Sequence, residues 1–76
     1  SVDVQRVIGE AVGRLPPEQR EVFLLRTEGD VPFKEIARIQ GVSINTALAR
    51  MQYAVRKLRS ELRGYEPGAG NDHETR

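Results

Sequence analysis

The chain has no cysteine, no tryptophan and a single histidine among its 76 residues. Without cysteine there are no disulfides and no thiolate metal sites, which fits a reducing, cytoplasmic setting. The one histidine, His73, sits in a glycine- and acid-containing C-terminal stretch that reads as a tail. There is no glycine-rich phosphate loop, no nucleophile–base pair and no metal-ligand cluster, and Glu10, Glu18, Glu21 and Glu35 read as ordinary exposed helix carboxylates. The sequence therefore argues against an enzyme, and no cofactor, metal or small-molecule substrate is expected. No apolar run approaches the roughly 20 residues of a membrane span, so no membrane partner is expected. The N-terminus carries no signal-peptide pattern. Strand alternation and internal repeats are missing as well. The length suits one domain with a modest core. A start at Ser1 rather than Met suggests a piece of a longer protein.

What is present is helical periodicity and an uneven distribution of charge. The net charge is only +1, but residues 1–43 carry six basic and seven acidic side chains, whereas residues 44–64 carry five basic ones against Glu61 alone. Residues 65–76 are acidic again, with Glu66, Asp72 and Glu74 against Arg76. Positive charge gathered on one segment is what a phosphate-binding face requires, although a solvated helix face gives the same pattern.

Val4, Val7, Ile8, Ala11, Val12 and Leu15 recur at the spacing of an amphipathic helix, capped by Asp3 or Ser1 and ended by Pro16. Pro17 suits the first turn of a second helix, with Glu18 and Glu21 near its positive end. The run Val22-Phe23-Leu24-Leu25 is apolar over a wide arc, so this helix should be contacted on several sides, with Gly29 as its C-terminal glycine. A short third helix is expected from Pro32 or Phe33 to Gln40, with Phe33, Ile36, Ala37 and Ile39 facing inward. Gly41 follows it, then Ser43 as cap of a fourth helix from Ile44 to about Arg63. The apolar positions of that helix are Ile44, Ala47, Leu48, Met51, Ala54, Val55, Leu58 and Leu62. The fold class is thus all-α: a four-helix domain over residues 1–64, followed by a disordered tail at 65–76.

A short helix, a turn of about three residues containing glycine, and a longer basic helix form the helix-turn-helix layout, whose second helix enters the major groove. At about 100° per residue, with Met51 at the centre of the buried stripe, Asn45, Thr46, Ala49, Gln52, Tyr53, Arg56 and Lys57 point outward. Asn and Gln can pair with adenine edges, and Ala49 can meet a thymine methyl. Arg56 and Lys57 suit phosphates, as does Arg50. Leu48 lies at the edge of the stripe and is expected to complete the core, with the groove as its alternative place. The candidate DNA-binding set is therefore Asn45, Thr46, Leu48, Ala49, Arg50, Gln52, Tyr53, Arg56 and Lys57.

Four segments taken in order resemble region 4 of the extracytoplasmic-function sigma factors. They are Leu15-Pro16-Pro17-Glu18-Gln19-Arg20-Glu21-Val22-Phe23, Phe33-Lys34-Glu35-Ile36-Ala37, Gly41-Val42-Ser43-Ile44-Asn45-Thr46, and Arg50 with Arg56-Lys57-Leu58-Arg59. The resemblance runs over about residues 5–63. It implies four helices in a winged-helix-like arrangement without the wing, recognition of the promoter minus-35 element, docking on the β-subunit flap of the RNA polymerase core, and sequestration by an anti-sigma factor. It also implies DNA contacts at the positions of Thr46, Leu48, Ala49, Arg50, Gln52 and Tyr53. The chain departs from the family pattern at three places. Leu48 stands where a basic or polar residue is usual, Ala49 where serine is usual, and Pro32 replaces a serine cap, with Asp30 the candidate to compensate. Region 2 is absent, so this chain alone should not initiate transcription. Two other readings share the layout: the effector domain of a response regulator, which usually dimerises, and a sigma-like module that binds only a protein partner.

Overall fold

A computed structural model describes residues 3–65. Four α-helices follow one another, α1 (Val4–Gly13), α2 (Pro17–Thr27), α3 (Phe33–Gln40) and α4 (Ile44–Leu62), and a 3-10 turn closes the described chain at Arg63–Tyr65. Tyr65, expected in the tail, belongs to that turn; the rest of the expected tail, His73 included, lies outside the described residues.

The helix ends are set by local chemistry. Asp3 accepts a hydrogen bond from the Arg6 backbone N–H and caps α1. The α1 C-terminus receives a cation, since Arg20 Nη1 donates to the carbonyls of Gly13 and Leu15 at 3.0 and 3.3 Å. That placement favours the negative end of the helix dipole. Pro17 opens α2, where its missing N–H costs nothing.

Between α2 and α3 the expectation needs correcting. The left-handed residue is Asp30 (φ 54°), not Gly29. Gly29 is crowded instead: a Cβ there would lie 3.0 Å from the Leu25 carbonyl oxygen and 3.2 Å from Val31 Cγ2, so these neighbours would have to give by a few tenths of an ångström. Nor does Asp30 cap α3. Its carboxylate takes a hydrogen bond from Arg26 Nη1 at 3.0 Å, and Pro32 occupies the cap position with no side-chain bond. Arg26 also donates to the Val31 carbonyl and lies 5.7 Å from the Phe33 ring centroid, so one guanidinium organises the whole connection.

Two apolar clusters share α4. Val22, Ile36, Ala37 and Ala47 pack together with Leu25, Val31, Phe33, Val42 and Met51 around them, joining α2, α3 and the first half of α4. Ala11, Val12, Leu15, Ala54 and Leu58 form the second, with Ile8, Phe23 and Leu62 at its edge, joining α1 to the second half of α4. Alanine at 37, 47 and 54 lets the helices approach closely, and all three are buried. The consecutive residues Val22 and Phe23 serve different clusters, which bears out α2 as an element contacted on several sides, although Leu24 is exposed.

Besides Val4 in the first turn of α1, which is 46% exposed, three apolar residues expected to face inward do not. Ile39 is 51% exposed because it follows the buried Ala37 by two residues, a rotation of about 200°. Ile44, in the first turn of α4, and Leu48, one turn on, are 45% and 37% exposed and belong to neither cluster.

Candidate nucleic-acid interface

The turn between α3 and α4 is built by Gly41 and Ser43. Gly41 takes the left-handed conformation (φ 68°), which a residue with a side chain adopts only at a cost. Its N–H bonds the Arg38 carbonyl at 3.2 Å and the Val42 N–H bonds the Ala37 carbonyl at 3.0 Å, the pattern of a Schellman ending. Val42 then tucks against the first cluster. Ser43 Oγ accepts from the Thr46 N–H at 3.1 Å and donates to Thr46 Oγ1, also at 3.1 Å, so the first turn of α4 is capped from outside. With Ala37 and Ala47 buried beneath the turn, the two helices are held in a fixed relation and α4 presents its opposite side to solvent.

The structure brings most of the candidate set onto that side. Asn45, Thr46, Gln52, Tyr53, Arg56 and Lys57 are exposed, and Ala49 is half-buried among them. Leu48, whose expected place was the core, is exposed beside this face instead. At about 100° per residue it lies a quarter turn from the deepest position, Ala47, too far round to reach either cluster.

Arg50, assigned to phosphates but not among the outward-pointing residues, is half-buried. Its Nη1 donates to Gln40 Oε1 at 2.9 Å, and Gln40 Nε2 in turn donates to the Glu18 carbonyl at 3.0 Å and to Glu21 Oε1 at 2.9 Å. No local pattern encodes this link, because Gln40 and Glu18 are 22 residues apart. Only the packing of α2 against α3 brings them together.

The electrostatics of α4 are one-sided. Its single acid, Glu61, is held by Arg14, whose Nε and Nη2 donate to Oε1 at 3.2 and 2.7 Å, while Lys57 Nζ lies 3.6 Å from Oε2. The hydrogen bond from Arg14 keeps the Glu61 carboxyl below the usual carboxylate range; the charges of Arg14 and Lys57 act in the same direction, against a partial loss of solvent. Lys57 is thus drawn partly toward Glu61. Arg56, Arg59 and Arg63 have no acidic partner among the described residues. Arg56 stands 5.8 Å from the Tyr53 ring centroid, so the pair shares a surface. A shallow groove lined by Gln52, Arg56, Arg59 and Arg63 runs along the second half of the helix, and a second joins Tyr53, Arg56 and Lys57 to Gln19 at the start of α2.

A different surface lies between α1 and the end of α4. There Val4, Ile8, Phe23, Val55, Leu62 and Tyr65 line a largely apolar groove. No helix among the described residues is long and apolar enough to cross a membrane.

Compared with known proteins, residues 5–58 match the family described as sigma-70, region 4. No curated protein and no solved structure matches the chain. The matched span begins in α1 and ends at Leu58, the last buried residue of α4, so it takes in the buried residues of both clusters and all of the helix-turn-helix but the last four residues of α4. An all-α chain with these helices, this capped turn and this basic second helix belongs to the sigma-70 region 4 family, a DNA-binding family of transcription initiation rather than a family of enzymes.

Proposed function

We propose that this domain recognises the minus-35 element of promoters as region 4 of an extracytoplasmic-function sigma factor bound to RNA polymerase. The observation that carries the reading is the exposed face of α4. It begins at the Ser43 cap and runs through Asn45, Thr46, Ala49, Gln52 and Tyr53 to Arg56 and Lys57, with no acid until Glu61. Residues in the first turns of a recognition helix reach base edges, so Asn45, Thr46, Leu48, Ala49 and Gln52 are assigned to the bases. Tyr53, Arg56 and Lys57 are assigned to the backbone, with Arg50 at the edge of the face. The apolar groove between α1 and α4 supports a protein partner on the side away from the turn. The β-subunit flap and an anti-sigma factor are the partners that fit the family reading.

Titrating labelled duplexes that carry or lack a minus-35 sequence, at low and high salt, tests the reading. Binding should weaken steeply as salt rises, because displaced counterions drive phosphate contacts. Gln52→Ala should reduce the preference for one base pair by about 1–3 kcal/mol, while Arg56→Ala should weaken all duplexes alike. Binding that is indifferent to salt and sequence, alongside retained binding of a polymerase flap fragment, would replace this reading with that of a protein-interaction module.

A further inference from the structure

Gln40 is the last residue of α3, and its side chain is the point at which α2, α3 and α4 are tied together by polar bonds. The orientation of its amide follows from its partners. The Glu18 carbonyl and the Glu21 carboxylate can only accept, so the NH2 group must face them, and Oε1 is left to accept from Arg50. Arg14, Arg26 and Arg38 each bond a carboxylate. Arg50 does not. Its partner is a neutral amide oxygen, and no acid lies within ion-pair distance of it among the described residues.

A guanidinium has five N–H groups, and Gln40 occupies one. Among the described residues no buried side-chain nitrogen or oxygen lacks a partner, so the nitrogens of Arg50 that make no bond reach solvent. Arg50 is therefore held in place with no ion-pair partner among the described residues. A glutamate at position 40 would accept from Arg50 equally well, but it would form an ion pair and give up the donor bonds that hold the side chain to α2.

We infer that Gln40 is a positioning residue for phosphate binding, one that fixes Arg50 of α4 beside the reading face and leaves its charge for a nucleic-acid backbone. The inference rests on the DNA-binding reading above. It assigns a role to a residue of the first helix of the helix-turn-helix, acting through Arg50.

The test is the salt dependence of duplex binding by the whole chain. Exchanging the amide and the carboxylate, Gln40→Glu with Glu21→Gln, keeps the net charge and allows a hydrogen bond between positions 21 and 40. It places a carboxylate against Arg50. Binding of a minus-35 duplex at low salt should fall by about tenfold, and the slope of log affinity against log salt should shrink by about 1, as for the loss of one phosphate contact. Arg50→Gln should give the same shift, and adding it to the exchange should produce no further loss. A merely structural role for Gln40 would lower the melting temperature and leave the slope alone.

Gln40→Met, which removes the bonds and adds no charge, serves as the second variant. It should weaken binding less than the exchange does, and that loss should disappear in an Arg50→Gln background; a loss that persists there would overturn the positioning role. An exchange variant with the parental slope, or losses that simply add when combined with Arg50→Gln, would overturn the inference while leaving the DNA-binding reading intact. If the parent itself shows no salt-dependent binding, both fall.

Discussion

Leu48 stands beside the reading face, 37% exposed, with the more exposed Ile44 one turn before it. An aliphatic side chain has no hydrogen bonds with which to tell bases apart. In the major groove it can distinguish them by the thymine methyl. Covering one such carbon is worth about 0.8 kcal/mol, or about fourfold in affinity. Replacing thymine by uracil one position at a time in a bound duplex should therefore weaken the parent about fourfold at one position. The Leu48→Ala variant should be insensitive there. A parent indifferent to every thymine-to-uracil change would remove Leu48 from the base-reading set. The same scale holds a stability test at Glu61, whose side chain is 22% exposed and bonded by Arg14. Its pKa is lowered on folding, chiefly by that hydrogen bond, so its contribution is present above the ordinary carboxylate pKa of about 4.3 and is lost as pH falls through the folded value. The melting temperature of the parent should exceed that of Glu61→Gln at neutral pH, and the gap should close on acidification below about pH 4.3. A gap that stays constant down to pH 3 would show that charge plays no part in the pair.

At the scale of elements, the α3–α4 turn separates two effects that are usually mixed. A Cβ at Gly41 would meet nothing within 4 Å, so Gly41→Ala tests the left-handed backbone alone. It should cost about 1–2 kcal/mol in urea unfolding. Ser43→Ala removes the oxygen that accepts from the Thr46 N–H and should cost about 1 kcal/mol, whereas Ser43→Gly should cost only a few tenths. If Gly41→Ala were neutral, the turn would tolerate another backbone and the fixed relation of α3 to α4 would not depend on it. These ends were legible in the sequence because each is encoded within a few residues: Asp3 with Arg6, Pro17 at its own helix start, Gly41 with Ala37, Ser43 with Thr46. The α2–α3 connection was not, because Gly29 and Asp30 both accept unusual backbone angles and only the Arg26 bond to Asp30 and the crowding at Gly29 divide the roles. Ile39 and Leu48 lie about 200° and 100° round from the buried Ala37 and Ala47, and the facing direction of Ile44 failed for a reason related to the connection's. Hydropathy marks an apolar residue but not whether a neighbouring helix extends far enough to cover it. The candidate site was legible as a face, since rotation about one helix axis is a local property. The arrangement of Arg50 was not, since its bond to Gln40 depends on where α3 ends and how α2 packs.

For the molecule as a whole, the question is whether the two clusters unfold as one. Ile36 and Ala47 belong to one, Leu15 and Leu58 to the other, and the distance between them is bridged by a single continuous helix of 19 residues. Isolated helices shorter than about 12–15 residues are marginal in water, so neither half of α4 should persist once its cluster is lost. Through Phe23 and Val22, α2 makes a second connection, and the ion pair of Arg14 with Glu61 fastens the α1–α2 corner to the end of α4. Leu58→Ala, which opens a cavity only in the cluster containing α1, should destabilise by about 2–5 kcal/mol. The loss should be felt everywhere. On heating this variant, helicity by circular dichroism, the methyl resonances of Ile36 and Val22 in the far cluster, and those of Leu15 in the near one should all vanish at one midpoint. Leu15 signals lost well before those of Ile36 would mean that α1 and the end of α4 form a separable unit. The helix-turn-helix would then keep its shape without them, and a partner seated in the apolar groove between α1 and α4 could not influence the reading face through the fold. A single midpoint makes the opposite argument. Anything that binds the groove and stabilises α4 there stabilises the helix that carries Asn45, Gln52 and Arg56, so occupancy of the groove and order at the DNA face are linked through one shared element.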